Sequence, residues 1–170
     1  MRAHPLVILA LAALLMAGCG DTDPSGPTSE ATEAAMNIDE GQAHYQDLIE
    51  KIRSTGQCAG QPLAWQEIEP ESVEGAASDD EGNYTAYIYR GPFLGSDLKC
   101  HGEDFTSTVK EITAVLEADG GVADDVVLNN DDDYAQGGEV KWRDADGATF
   151  TFSSGVKTSF SMVSGKLPAP

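Results

Sequence analysis

Beyond the apolar N-terminal run the chain has only two histidines, His44 and His101, and imidazole general acid–base chemistry would have to use one of them. His44 adjoins Tyr45 in a helical pattern and reads as a surface or boundary residue; His101 sits in Cys100-His101-Gly102, where a structural turn is the simpler role. Together with Glu103 they could offer three ligands to a metal if the fold brought them together, but nothing in their spacing indicates that it does. Asp131-Asp132-Asp133, with Asp124 and Asp125, supplies oxygens of the kind calcium takes. An EF-hand loop needs glycine sixth and glutamate twelfth. Counting from Asp131 the sixth residue is Gln136, and counting from Asp144 the fifth is Ala148, so both fail and a solvated loop is expected. G-x-S-x-G, P-loop, G-x-G-x-x-G, H-E-x-x-H and C-x-x-C patterns are all missing, which removes the usual sequence warrants for catalysis or a cofactor. The expectation is a protein that is not an enzyme and holds neither cofactor nor metal.

Residues suited to contact are easier to find. Tyr84, Tyr87 and Tyr89 each offer a flat apolar body with a polar tip, and alternation along a strand places Tyr87 with Tyr89 on one face and Tyr84 with Ile88 on the other. Lys141 and Arg143 fall among Thr149 and Thr151 on what patterning makes a polar sheet face, where they serve as cross-strand charge decoration or as a spot for an anion. Tyr87, Tyr89, Lys141 and Arg143 are therefore the candidate contact surface.

The elements that position these residues follow from periodicity. Asn37 with Glu40 three residues on has the form of a capping box, and Ile38, Tyr45, Leu48, Ile49 and Ile52 give a helix over 37–55 with one apolar stripe, closed by Gly56. A second helix is expected over 104–119, with Asp104 at its N-cap, Phe105, Val109, Ile112, Val115 and Leu116 on one side, and Gly120-Gly121 beyond its end. Strands are expected over 63–69, 84–90, 125–129, 139–143, 148–153 and 158–163, and the segment 71–82 reads as an acidic loop. Asp144-Ala145-Asp146-Gly147 and Ser154-Gly155-Val156-Lys157 are hairpin turns, so their strands are antiparallel neighbours. Val140, Trp142, Phe150, Phe152, Phe160 and Met162 then face one way, and Glu139, Lys141, Arg143, Thr149, Thr151, Ser159 and Ser161 the other. The fold class expected is α+β: a two-layer sandwich with two amphipathic helices packed on one face of an antiparallel sheet of about five or six strands.

The N-terminus has the order of a signal peptide: Arg2, an unbroken apolar run from Leu6 to Met16, and small residues before Cys19. Leu15-Met16-Ala17-Gly18-Cys19 resembles the bacterial lipobox, an aliphatic residue and two small residues before the cysteine that receives diacylglycerol, with methionine where leucine is usual. That resemblance implies cleavage of residues 1–18, lipid on Cys19, and anchorage of the mature chain to the extracytoplasmic face of a cell membrane. Two or three acyl chains suffice for durable anchorage, each CH₂ contributing roughly 0.8 kcal/mol. Residues 19–35 read as the lipidated cysteine and a flexible Ser, Thr, Pro and Gly linker, and 36–170 as a single domain. Cys58 and Cys100 are then an even pair outside the cytoplasm, which is normally a disulfide. Zinc held by Cys100 and His101 is the alternative.

From the second helix onward the chain also resembles small actinobacterial lipoproteins of the LppA-like kind, on Trp142, on Asp146-Gly147-Ala148-Thr149-Phe150 and on Thr158 to Gly165. Such proteins often end the last strand in Gly-Cys. Lys166 stands in the cysteine's place, which implies that no disulfide reaches that strand and leaves Cys58 with Cys100. The resemblance implies the anchor and the fold, and no activity.

The net charge of −19 becomes −20 when Arg2 leaves, and that field disfavours nucleic acid and anionic lipid surfaces as partners. The functional expectation is a lipid-anchored envelope domain that binds an envelope protein or a small ligand without catalysis. Two alternatives stand beside it: an inhibitor or immunity-type protein whose acidic loops meet a basic enzyme, and a hydrolase using His44 or His101.

Overall fold

The computed structural model describes residues 36–128 and 138–170, the side chains of residues 123–128 excepted. Helix α1 (Ile38–Arg53) starts as the capping box requires: Asn37 Oδ1 accepts from the N–H groups of Asp39 and Glu40, each at 3.0 Å, and Glu40 Oε2 accepts from Asn37 N at 3.1 Å. It ends two residues short of the expected Thr55, because the hydroxyls of Ser54 and Thr55 both donate to Lys51 O and close the last turn. Its buried stripe includes Gly41, where a Cβ would stand 2.5 Å from Leu167 Cδ1. A side chain at this position would have to displace the buried Leu167 side chain.

A two-residue ladder, β1 (Gln57–Cys58) with β2 (Gln61–Pro62), forms a small separate hairpin. The main sheet is antiparallel and has nine strands among the described residues: β3 (Gln66–Glu69), β4 (Ser72–Ser78), β5 (Tyr84–Arg90), β6 (Phe93–Ser96), β7 (Val122–Leu128), β8 (Gly138–Arg143), β9 (Thr149–Ser154), β10 (Thr158–Val163) and β11 (Leu167–Pro168). The expected α+β class is observed, with more strands than the five or six anticipated. The reason lies in breaks rather than in extra layers. Because β4 pairs with β5 and β3 with β6, Pro70 merely interrupts one line and Gly91-Pro92 bends the next. Likewise β10 reaches β5 at Val163, and β11 continues along β5 at Leu167. Nine strands thus trace six lines, in the order β3/β4, β5/β6, β10/β11, β9, β8, β7. Proline has no N–H to give the ladder, so a line can bend there without ending.

Helix α2 (Gly102–Glu117) corrects one expectation. His101, not Asp104, occupies the N-cap and makes no side-chain cap bond. Asp104 Oδ2 instead accepts from Ala59 N at 2.8 Å, bracing the β1–β2 turn, where Ala59 has φ +54°. The buried face is Phe105, Thr108, Ile112 and Leu116, with Val109 and Val115 only partly covered. Thr108 is buried because its hydroxyl donates to Gln57 O at 2.9 Å.

Both helices meet the same sheet face. Register pairs Val140 with Phe152, Trp142 with Phe150, and Phe160 with both Phe152 and Leu94, all buried. Tyr45 of α1 packs edge-on to Phe150, Phe105 of α2 stacks on Phe152, and Trp142 Nε1 donates to Thr113 Oγ1 at 3.1 Å. Lys141, Arg143, Thr149, Thr151, Ser159 and Ser161 point the other way, exposed or half-buried, as alternation requires.

Cys58 and Cys100 are bonded, with Cα atoms 5.1 Å apart and both side chains fully buried. The irregular segment leading to Cys100 is satisfied by buried hydroxyls: Thr158 Oγ1 donates to Leu98 O at 2.7 Å, and Ser154 Oγ donates to Cys100 O at 2.8 Å. The bond closes a separation of 42 residues, which in the chain-entropy model contributes about 4 kcal/mol. A Cys58→Ala/Cys100→Ala variant is expected to lose about 3–4 kcal/mol in urea unfolding, with the thermal midpoint of the wild type dropping in the same direction under reductant; equal stability of the two proteins would contradict this.

Candidate functional site

The residues singled out from the sequence do not converge. Cys19, Asp131, Asp132 and Asp133 lie outside the described residues, as do the side chains of Asp124 and Asp125. His44 Nε2 pairs with Asp119 at 2.9 Å, tying the middle of α1 to the end of α2. His101 stands at the head of α2 with its Nδ1 buried and without a hydrogen-bond partner. Cys100 is spent in the disulfide, so it offers no thiolate for zinc. Among the described residues no three His, Cys, Asp or Glu side chains come together as a metal would need.

The proposed contact residues separate as well. Lys141, bridged to Glu139 at 2.8 Å, and Arg143 stand exposed on the sheet face away from the helices. Tyr89 is fully buried on the other face, stacked near Tyr45, and so cannot be part of an exposed surface. The shared parity of Tyr87 and Tyr89 points both rings toward the helices, where Tyr87 is partly covered. Tyr84 joins them, against expectation. Ser78 pairs with Tyr84 and Ala77 with Ala86, so Thr85 is an extra residue on β5 that inverts the alternation. The Tyr84 ring therefore comes within 5.8 Å of the Tyr87 ring and roofs Gly75 of β4, where a side chain would have to displace it.

What periodicity missed is a cleft of about 440 Å³ between α1 and the β3/β4 line, lined by Gln46, Glu50, Arg53, Glu67, Glu71 and Tyr89. Its floor is one ordered carboxylate. The Tyr89 hydroxyl donates to Glu71 Oε2 at 2.5 Å, and Gln46 Nε2 donates to both Glu71 oxygens at 2.9 and 3.0 Å. These bonds, that from Tyr89 first, hold the Glu71 carboxyl below its usual range. Burial, then the Glu71 carboxylate, pushes the Tyr89 phenol up. Arg53 forms the wall: Nη2 reaches Glu67 Oε2 at 3.0 Å, while Nε lies 3.3 Å from Glu50 Oε1 without the alignment of a hydrogen bond. Three helix residues, Glu67 of β3, Glu71 of the short link to β4 and a core tyrosine far along the chain build this cleft, and no local spacing announces such an assembly. Chemically it can receive cationic or hydrogen-bond-donating groups; nothing in it is arranged as a nucleophile with its base.

A second cleft of similar volume runs between the C-terminal turns of the helices, lined by Lys51, Ser54, Thr55, Ala114, Val115, Ala118 and Asp119.

Because Glu71 is depressed in the fold, its stabilisation is fully present above the ordinary glutamate range and is lost as pH falls through its lowered value. Tyr89→Phe removes the chief cause. The Glu71 carboxyl, followed by carbon-detected NMR between about pH 3 and pH 7, should move back up toward the ordinary value. Stability near neutrality should fall by about 1 kcal/mol, below the roughly 1.5–3 kcal/mol of a bond to a charged group because Glu71 is solvent-exposed. An unmoved Glu71 titration would show that the short Tyr89 contact is not what holds it.

Comparison with protein-family models, with curated proteins and with solved structures finds no match to this chain.

Proposed function

We propose that this chain is a lipid-anchored, extracytoplasmic protein-contact domain of the cell envelope, with no catalytic role, that meets its partner through the sheet face turned away from the helices. The observation carrying this reading is the one-sidedness of the sheet: α1 and α2 both pack on the aromatic face, and the opposite face is an array of half-buried Thr149, Thr151, Ser153, Ser159 and Ser161 flanked by Lys141, Arg143 and Arg90. The side chains of this face are short and entropically cheap to order, and charged groups stand beside them, as in a protein interface rather than a ligand pocket. The buried disulfide supports an oxidising compartment. The apolar run ending at Cys19 and the Ser, Thr, Pro and Gly linker support a tether that lets the domain stand clear of the bilayer.

Two experiments test this. Cys19→Ser should leave the protein uncleaved or released from the membrane fraction, while the Cys58–Cys100 bond and the circular dichroism stay unchanged; continued membrane attachment of a cleaved protein would overturn the lipid anchor. A photoreactive residue placed at Thr151, on the open face, should capture a discrete envelope protein in intact cells, whereas the same probe at Lys110, exposed on α2, should not. Capture from Lys110 and none from Thr151 would remove the sheet face as the contact surface.

A further inference from the structure

The β3/β4 line is the edge of the sheet on the side of the 440 Å³ cleft, and among the described residues its outer side pairs with nothing. An unpaired edge of this kind is normally blunted by charged side chains, lysine especially, by proline or by bulges. Here the sequence from Glu67 to Glu81 contains no lysine or arginine. Ser72 to Gly75 keeps regular register with β5, and Ile68 and Val73 are 55% and 44% exposed. Pro70 and the irregularities after Gly75 limit the edge without covering it.

Two features indicate what would pair there. First, the same fifteen residues carry seven carboxylates: Glu67, Glu69, Glu71, Glu74, Asp79, Asp80 and Glu81. Two copies of this edge laid together would oppose like charges at every turn, which is destabilising across a strand pair, so a second copy of the chain is a poor occupant. Second, the cleft opens where alternate side chains of an added strand would point toward α1. Its lining has Glu50, Glu67 and Glu71 against Arg53 alone. In strand addition the main chain supplies affinity, and pockets for every second side chain supply selectivity.

We propose that the β3/β4 edge receives an extended, lysine- or arginine-rich segment of another protein as an added antiparallel strand, seating one cationic side chain in the cleft among Glu50, Glu67 and Glu71. The opposite side chains of that strand then lie toward Ile68, which packs over Gly95 on the other face, and apolar residues suit them best. The recognised segment alternates basic and apolar residues. This edge is distinct from the open sheet face, and either contact can fail without the other.

The test uses the chain from Gly20 to Pro170 and a fluorescein-labelled peptide of four Lys-Val repeats, followed by fluorescence anisotropy and by hydrogen exchange. Binding is expected to weaken about tenfold or more between 50 and 300 mM salt, and the amides of Ser72 to Gly75 should gain protection. A peptide of the same charge methylated at alternate backbone nitrogens should bind at least about tenfold more weakly, because it cannot complete the ladder. Glu50→Gln/Glu67→Gln, with its circular dichroism unchanged, should weaken the parent peptide by a similar factor. Absence of binding, equal binding of the methylated peptide, or a dimer of the chain alone that protects the same amides would each overturn the proposal.

Discussion

The structure depends on one constraint: a single sheet face, made of Val140, Trp142, Phe150, Phe152, Phe160, Met162 and Leu94, must be taken out of water, chiefly by two helices, with Trp65 packed edge-on to Phe152 beside them. Burying a large side chain fully contributes about 1.5–3 kcal/mol, so this row is the largest favourable contribution in the domain. The rest follows from serving it. Tyr45 sits where its ring can cover Phe150, and its hydroxyl, carried into the interior with the ring, must find a partner; Asp144 Oδ2 accepts from it at 2.9 Å. The other oxygen of Asp144 accepts from Ala148 N at 2.7 Å. A single carboxylate thus joins the first helix to the β8–β9 turn that aligns Trp142 with Phe150. Burial, and after it the bond to Asp144, pushes the Tyr45 phenol up, so it remains a donor over the whole physiological range.

The same constraint explains why, among the described residues, no helix covers the opposite face. Two sixteen-residue helices are enough to cover one face of six lines, and the sequence provides short hydroxyl side chains, not apolar ones, for the other. Those residues stay soluble without a cover, and Ser153 and Ser159 satisfy each other across the strands at 2.8 Å. At the edge the covering runs out differently. Helix α1 reaches β5 but stops short of the β3/β4 line, and the gap between them is the cleft. Because Tyr89 belongs to the core while its hydroxyl donates to Glu71 at the lining of this gap, a residue chosen for packing also orders Glu71.

How far this was legible in the sequence depends on whether a signal is local. Both helices and the run of four strands from β7 to β10 are visible because each buries one face, so a period near 3.6 or 2 is written into consecutive residues. The capping box of α1 is legible for the same reason. Strand β4 is not: Ser72-Val73-Glu74-Gly75-Ala76-Ala77-Ser78 has neither branched density nor alternation, and it is extended because β5 beside it offers a ladder. Gly91-Pro92 reads as the end of a strand but proves to be a bend, since the ladder resumes on both sides. Asp104 has the right chemistry for an N-cap, yet the disulfide brings the β1–β2 turn close enough to claim its carboxylate. The candidate contact set was half legible. Parity finds the outward positions of Lys141 and Arg143 on β8, but a one-residue bulge at Thr85, invisible in composition, decides where Tyr84 goes.

The acidity of the chain takes on a more specific meaning once it is placed in space. A net charge of −19 spread evenly would say little beyond solubility. In the fold, nearly all charge on the β3/β4 edge and the turn that follows is of one sign, while Arg90, Lys141 and Arg143 of β5 and β8 stand on the open face with acids such as Glu74 and Glu139 beside them. The two exposed parts of the sheet therefore differ in kind. The face mixes charges of both signs with short hydroxyl side chains, so what it offers a partner is shape and hydrogen bonding rather than a field of one sign. The edge is anionic and, among the described residues, its outer backbone is unpaired, the arrangement that long-range attraction and ladder pairing would use. Lysine would have protected that edge from aggregation by its length and charge; here carboxylates do so instead, repelling copies of the same chain while leaving the edge open to a strand of opposite charge.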